Sequence, residues 1–298
     1  MKIAVAGGTG FIGSRLIHGL TANGHEVIVI SRTKREGVFH ENVRFVSWDE
    51  LRENTDVLEG SDVIVNLAGE TINQLWTEKA KQRILQSRIG AAERIAAVVS
   101  RLGKKPYTVI NSSGISAYGT SDSESYREES RTAADDFLSR VAADWEHAAD
   151  SIPAARLVKL RTGVVLGHGG ALPLMLLPYK LGFGGRLGSG RQWLSWIHID
   201  DMVSIIHYCM ENGSISGPIN CTSPQPVTND EFGRAVGRAL NRPHWLPMPA
   251  PVFRLLLGEM SDLLLKGQKV LPGKLLESGF RFRYPTLDDA LRNLLRRS

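Results

Sequence analysis

Gly7, Gly10 and Gly13 stand three apart, with Gly8, Thr9, Phe11 and Ile12 between them. This G-x-x-G-x-x-G spacing is one residue wider at its start than the dinucleotide form G-x-G-x-x-G, and the same physics applies. The first glycine permits a tight turn, the second lets backbone approach a pyrophosphate, and the third lets helix pack closely on strand. Unpaired N–H groups at the start of the next helix then face the phosphates. Further on, Ser31 and Arg32 precede Thr33, Lys34 and Arg35, and no acidic residue appears until Glu36. A site that prefers NAD sets a carboxylate there for the ribose 2′-OH, whereas an arginine accommodates a 2′-phosphate. Ser31 can donate a hydroxyl hydrogen bond and Arg32 can fork onto phosphate oxygens, so the pattern points to NADP(H) over NAD(H). A solvated basic loop is the plain alternative.

A second set of residues offers proton donors. Ser113 and Ser116 follow a strand-like run, where open α/β sheets place ligands beyond the carboxyl ends of their strands. Tyr118 has the right chemistry, or else packs over the pocket. His198 is a donor and proton shuttle by type, or a structural histidine. Trp193 and Trp196 read as core or pocket wall. Without basic residues clustered on one face among aromatics, nucleic acid is not an expected partner.

The elements that must position these groups are legible as period. Strand-like runs at 2–6, 26–30, 43–46, 62–66 and 107–111, then 158–166, alternate with helical stretches at 14–23, 78–102 and 133–149. Thr77 is placed to cap the second helix, and Asn23-Gly24 to stop the first. Strands separated by helices imply right-handed βαβ crossovers and a parallel sheet covered on both faces, a Rossmann-type doubly wound α/β fold. After about residue 165 the texture changes. A Gly-rich stretch (182–190) and a Pro-rich one (243–251) precede a helical block (252–265) and a last helix (287–296). The expected division is a nucleotide-binding domain over 1–165, with late strands returning from 190–222, and a smaller, mostly helical lobe over 166–298. Within that lobe a distinct helical block spans about 245–298. Its leucines at 255–257 and 263–265 either cover a substrate cleft or form a homodimer seam, and the arginines at 292–297 suit a solvated helix end.

Composition sets the outer limits. Hydrophobic residues make up 42% and charged ones 22%, which excludes disordered, collagen-like and disulfide-rich classes. A net charge of +5 is a mild surplus that suits an anionic ligand or an ordinary soluble surface. No apolar run reaches the roughly 18 residues of a membrane helix, and the N-terminal run is too brief for a signal core. Cys209 and Cys221 lack a CxxC or a histidine at ligand spacing, and the eight histidines form no HExxH or HxH pair. A reduced, cytoplasmic, metal-free protein without a membrane partner is the expectation.

With these residues in place, the chain resembles the extended short-chain dehydrogenase/reductases, the NAD(P)-dependent epimerase/dehydratase superfamily. Asn66-Leu67-Ala68-Gly69 resembles the superfamily's N-x-A-G turn, which runs along the cofactor. The segment from Ser112 to Gly119 resembles S-S-x-x-x-Y-G with one extra residue before the tyrosine, and Trp196-Ile197-His198 through Asp201 resembles a late F-I-H-V-x-D segment. A narrower likeness, to the "epimerase family protein" subfamily with its C-terminal domain of unassigned function, covers nearly the whole chain. It is carried by 66–70, Ser87-Arg88, 137–146, 161–167, 188–192 through 196–198, and Gly267-Gln268-Lys269-Val270. That resemblance implies that Ser31, Arg32, Leu67, Ala68 and Arg88 line an NADP site, with Arg83 a further candidate.

Two departures bear on activity. Members that move hydride use a Tyr-x-x-x-Lys pair, the tyrosine passing a proton and the lysine lowering its pKa. None of the six tyrosines has a lysine four residues on. Where the pair belongs, the chain reads Phe137-Leu138-Ser139-Arg140-Val141-Ala142, and neither register transfers protons. The arginine with which sugar-nucleotide enzymes grip a diphosphate is replaced by Ser195 or Leu194, with Arg186 and Arg191 as substitutes or as solvated surface. Two functions follow: an NADP(H)-dependent oxidoreductase or epimerase-like enzyme acting on an unidentified small molecule, or an NADP(H)-binding regulator or scaffold.

Overall fold

The computed structural model describes residues 1–32 and 41–295. In chain order the strands are β1 (Lys2–Ala6), β2 (Glu26–Ser31), β3 (Val43–Ser47), β4 (Val63–Asn66), β5 (Thr108–Gly114), β6 (Ser125–Tyr126) and β7 (Arg156–Thr162). Then come β8 (Val164–Leu166), β9 (Trp193–Leu194), β10 (Trp196–His198), β11 (Gly217–Cys221), β12 (Val227–Thr228) and β13 (Lys269–Val270). The helices of the first half are α1 (Phe11–Ala22), α2 (Trp48–Glu53), α3 (Glu78–Arg101) and α4 (Phe137–Asp150). The second half adds α5 (Leu172–Lys180), α6 (Ile199–Glu211), α7 (Asn229–Leu240), α8 (Ala250–Leu257), α9 (Asp262–Leu265), α10 (Gly273–Glu277) and α11 (Leu287–Leu295).

Seven strands form one parallel sheet in the order β11-β7-β5-β4-β1-β2-β3. The order reverses at β1, the switch point where open α/β sheets bind ligands. Strict alternation along each strand builds two cores. Ile3, Val5, Val27, Val29, Val63 and Val65 face α1 and α6, while Ala4, Ala6, Ile28, Ile30 and Ile64 face α2 and α3. A third core, around Leu172, Trp196, Phe232, Val236 and Leu291, joins α5, α7 and α11 into the C-terminal lobe. The architecture is a Rossmann-like α/β fold with a smaller, mostly helical lobe.

Several boundaries differ from the periodic reading, each for a local reason. The run 158–166 divides at Gly163, where an added Cβ would lie 2.5 Å from the Ser195 carbonyl oxygen. On one side β7 stays in the main sheet; on the other β8 pairs with β10. The helix expected from 133 starts at Phe137, because Asp136 accepts from the Ser139 N–H and the Ser139 hydroxyl reciprocates in a capping box. The block 252–265 breaks at Gly258, whose φ of +56° ends α8. Of the strands within 190–222, β11 lies at the edge of the seven-stranded sheet against β7, whereas β10 pairs with β8 and β9 with β12 in separate two-stranded sheets. Among the described residues no helix is long and apolar enough to cross a membrane, and no cluster of His, Cys, Asp or Glu could hold a metal ion.

Candidate functional site

At the crest of the sheet, Gly7 leaves β1 with φ +77° and lies so close to the turn after β4 that a Cβ would meet the Leu67 carbonyl group and the Ala68 nitrogen at 2.7–2.8 Å. Gly13 has the same constraint from the helix side, its missing Cβ falling 2.4 Å from the Gly7 oxygen. Helix and strand therefore touch backbone to backbone. Gly10 is the N-cap of α1 and supplies no side-chain acceptor, so the first turn of N–H groups, from Phe11 through Gly13, opens onto the crest. Thr9 is exposed, and Ile12 packs beneath the turn. Phe11 is seated in a ring of glycines: a Cβ on Gly167, Gly169 or Gly170 would come within 2.6–3.0 Å of its ring.

The facing turn is held from below. Buried Asn66 donates to the Asn111 side chain (2.6 Å) and accepts from the Ala68 N–H (3.1 Å). Arg88 of α3 crosses the turn at Gly69, donates to the carbonyls of Glu70 and Ile84, and lies 5.1 Å from the centre of the Trp145 ring. Burial pulls its pKa down to about 10, opposed by Glu70. Arg83 is exposed and bound to Gln74, one helical turn nearer the start of α3. Ser31 ends β2 half-buried, and Arg32 follows it exposed. Thr33, Lys34, Arg35 and Glu36, the rest of the basic reading, lie outside the described residues, as do Arg296 and Arg297.

Beyond β5 the chemistry passes to side chains. Ser113 is buried in register opposite Arg161 of β7. Its hydroxyl donates to Glu146 of α4 at 2.8 Å, and Arg161 clasps the same carboxylate with two bonds of 2.8 and 2.9 Å. A third Arg161 N–H reaches the Tyr118 hydroxyl at 2.9 Å, and that hydroxyl donates to Asn220 of β11 at 2.8 Å. The Asn220 N–H in turn meets buried Glu128, which also receives the Lys274 N–H. Burial works against the Glu146 charge, but the Arg161 fork and the Ser113 hydroxyl hold its pKa below the usual carboxylate range. Burial likewise raises the Tyr118 hydroxyl above its ordinary value, against the pull of Arg161. Tyr126 stacks on Tyr118 at 5.3 Å, and a cleft of about 940 Å³ opens beside the pair, walled by Thr120, Glu124, Arg131 and Asp135.

The four proton-donor candidates thus separate. Ser113 and Tyr118 share one network. Ser116 lies nearby, half-buried, donating to the Leu138 carbonyl at the start of α4. His198 stands elsewhere: it caps α6 by accepting from the Asp200 N–H, meets Asn293 through its other nitrogen, and packs on Tyr284 with ring centres 3.8 Å apart. Burial lowers its pKa to about 4, against the nearby Asp200 carboxylate. At the Tyr and Lys positions, Phe137 packs edge-on to Trp76 and Val141 is buried. Trp196 is core, and Trp193 is half-buried beneath Lys269. Arg186 and Arg191 are exposed. Leu255 and Leu256 project into solvent from α8, while Glu259 just beyond it pairs with Lys81 of α3.

The residues that sequence reasoning passed over are Glu146, Arg161, Asn220 and Glu128. A usable signal existed for one of them: an arginine inside the apolar run 158–166 needs a carboxylate partner if that run is buried.

Two family models match. The NAD dependent epimerase/dehydratase family covers residues 3–221, and a domain of unknown function (DUF1731) covers 248–294. The chain is 47% identical to the epimerase family protein YfhF of Bacillus subtilis, covering 99% of this chain and 98% of that one. It is 39% identical to the mouse epimerase family protein SDR39U1, over 99% of this chain and 100% of the mouse protein. Among solved structures, human SDR39U1 (isoform 2) with NADPH superposes with a TM-score of 0.91 at 37% identity, covering 99% of each chain. A sheet that reverses at β1, a glycine cradle at that point and likeness along the whole chain agree: the protein belongs to the NAD dependent epimerase/dehydratase family.

Proposed function

We propose that the protein binds NADP(H) between the 7–13 turn and the 66–70 turn and acts on a small polar molecule held in the cleft beside Tyr118. The observation that carries this reading is the double glycine cradle, in which neither Gly7 nor Gly13 tolerates a Cβ and an uncapped helix start opens above the sheet. Ser31 and Arg32 lie at the end of β2, where a 2′-phosphate is read, and the solved human relative was crystallised with NADPH. When bound, a nicotinamide supplies or accepts hydride; the residues of this chain bind, orient and exclude water. The N–H groups of α1 would receive the pyrophosphate, Arg32 the 2′-phosphate, and Leu67, Ala68 and Gly69 would line the dinucleotide. Arg88 braces that turn, its guanidinium turned onto the Glu70 and Ile84 carbonyls.

One observation favours a second reading, an NADP(H)-binding regulator or scaffold. The Ser113 and Tyr118 protons both point to protein acceptors, Glu146 and Asn220, and Phe137 and Val141 carry no transferable proton. Titration of NADPH and NADH by protein-to-nicotinamide energy transfer tests the shared cofactor claim. NADPH is expected to bind at least about tenfold more tightly, and Arg32→Gln to bring the two within about threefold. Equal affinity in the unaltered protein defeats it. NADPH consumption over a panel of small carbonyl compounds then separates the readings: turnover selects the enzyme, and a flat trace at full cofactor occupancy selects the regulator.

A further inference from the structure

Away from the crest, a cavity of about 520 Å³ lies in the C-terminal lobe between α5, α7 and α11. Its apolar lining is aliphatic: Leu172 and Leu176 from α5, Leu240 from α7, Leu294 and Leu295 from α11. Among the described residues no Phe, Tyr or Trp lines it. The remaining wall carries His168, Lys180 and Arg242, which are exposed and come from three separate segments. Arg242 is directed there by the end of α7, where Asn241 takes a left-handed φ of +52° and the Arg242 N–H closes onto the Gly237 oxygen. Among the described residues no carboxylate lines the cavity, and neither Lys180 nor Arg242 has an acidic partner. Neighbouring positive or ionisable groups are treated otherwise: Arg238 pairs with Asp288, and His244 with Asp230. One edge, at Gly167, adjoins the loop that seats Phe11, so the cavity lies behind the nucleotide turn rather than within the crest.

An aliphatic floor with an imidazole and two cations at its wall, neither cation having an acidic partner among the described residues, is complementary to a molecule that is apolar at one end and anionic at the other. Its volume lies within the about 300–1,000 Å³ usual for small-molecule sites. We propose that this cavity binds an amphipathic anion, an unbranched aliphatic chain ending in a carboxylate or a phosphate monoester. The chain lies along the leucines, and the head group meets Lys180 and Arg242.

Calorimetric titration of the full-length protein with decanoate, decyl phosphate, decanol and decyltrimethylammonium reads this directly. One or both anions are expected to bind at a single site, and which of them is tighter identifies the head group. Decanol is expected to bind at least about fivefold more weakly and the cation not to bind, since two exposed charge contacts are removed or reversed. The K180Q/R242Q double variant alters only exposed side chains. It should bring the anions to the level of decanol while leaving decanol unchanged. Leu295→Trp, which fills the cavity from the end of α11, should weaken every ligand that binds. Equal binding of anion and alcohol, or anion binding that survives K180Q/R242Q, overturns the charge recognition. Binding unaffected by Leu295→Trp places the ligand elsewhere and overturns the site.

Discussion

The nucleotide turn and the β5–β7 end of the same sheet crest are built from different materials. At the turn, Gly7, Gly10 and Gly13 contribute little but backbone, and what matters is how closely main chain can approach main chain. At β5–β7, Ser113, Tyr118, Glu146, Arg161 and Asn220 contribute charge and hydroxyl groups, buried and bonded to one another across β5, the turn after it, α4, β7 and β11. A backbone site fails through steric intrusion and a side-chain network through lost partners. The two regions should therefore respond to substitution in different ways.

The largest expected effect lies in the network. Arg161→Met leaves Glu146 buried with only the Ser113 hydroxyl and, at 3.8 Å, the Lys159 ammonium. Removing one partner of a buried pair typically costs about 3–5 kcal/mol, read here as a fall in the urea midpoint. Adding Glu146→Leu should restore at least half of that loss, because removing both charges removes the uncompensated one. A double variant no more stable than Arg161→Met would show that the network acts by packing and not by charge, and the contrast with the turn would be gone.

Gly13→Val probes the other region. Its side chain would start 2.4 Å from the Gly7 oxygen, forcing α1 off β1. Overpacking of this kind costs about 1–3 kcal/mol, and NADPH should no longer raise the melting temperature. Arg161→Met, melted in the absence of denaturant, should keep that ligand-dependent rise. Loss of the rise in both variants would mean that the two regions are one site energetically.

How much of this was legible follows from the same contrast. The glycine turn is contiguous in sequence, and its spacing, its strand and its helix are all local. The parallel sheet was equally open to reading, because Ile3, Val5, Val27 and Val29 alternate with residues that face the second core. The network was not. Ser113 reads as a proton donor from its place after a strand-like run, but its partner Glu146 sits on α4 and the Arg161 that fixes both sits on β7; only the register of β5 on β7 brings them together. Asn220 and Glu128 enter through β11 and the segment before α4, whose positions depend on the completed sheet. Ends of elements were missed for a related reason: Asp136 as a cap and Gly258 as a stop are single-residue decisions within otherwise helical composition.

His198 separates a buried polar group from a catalytic one by pH. Its neutral ring caps α6, and burial lowers its pKa to about 4 from an ordinary 6.5. The unfolded chain therefore takes up a proton below pH 6.5 that the folded chain refuses, so stability is full above that pH and falls as pH drops toward 4. About 3 kcal/mol should be lost over that window. His198→Asn should flatten the curve there and leave the acid loss below it, where Glu146 is protonated. An unchanged slope would assign the window to another group.

The smallest effect tests whether α4, which carries Glu146 at one end and Phe137 at the other, is set by its own cap or by the network. Asp136 accepts from the Ser139 N–H at 2.8 Å, and the Ser139 hydroxyl, fully buried, accepts from the Asp136 N–H. Asp136→Ala should cost about 1 kcal/mol, the usual worth of an N-cap. If the Arg161 fork alone positions the helix, hydrogen exchange should rise only in the first turn of α4 and stay low around Glu146. Exchange rising along the whole helix would mean that the cap supports the network from ten residues away, and that this end of the crest, like the glycine turn, depends on a local backbone device.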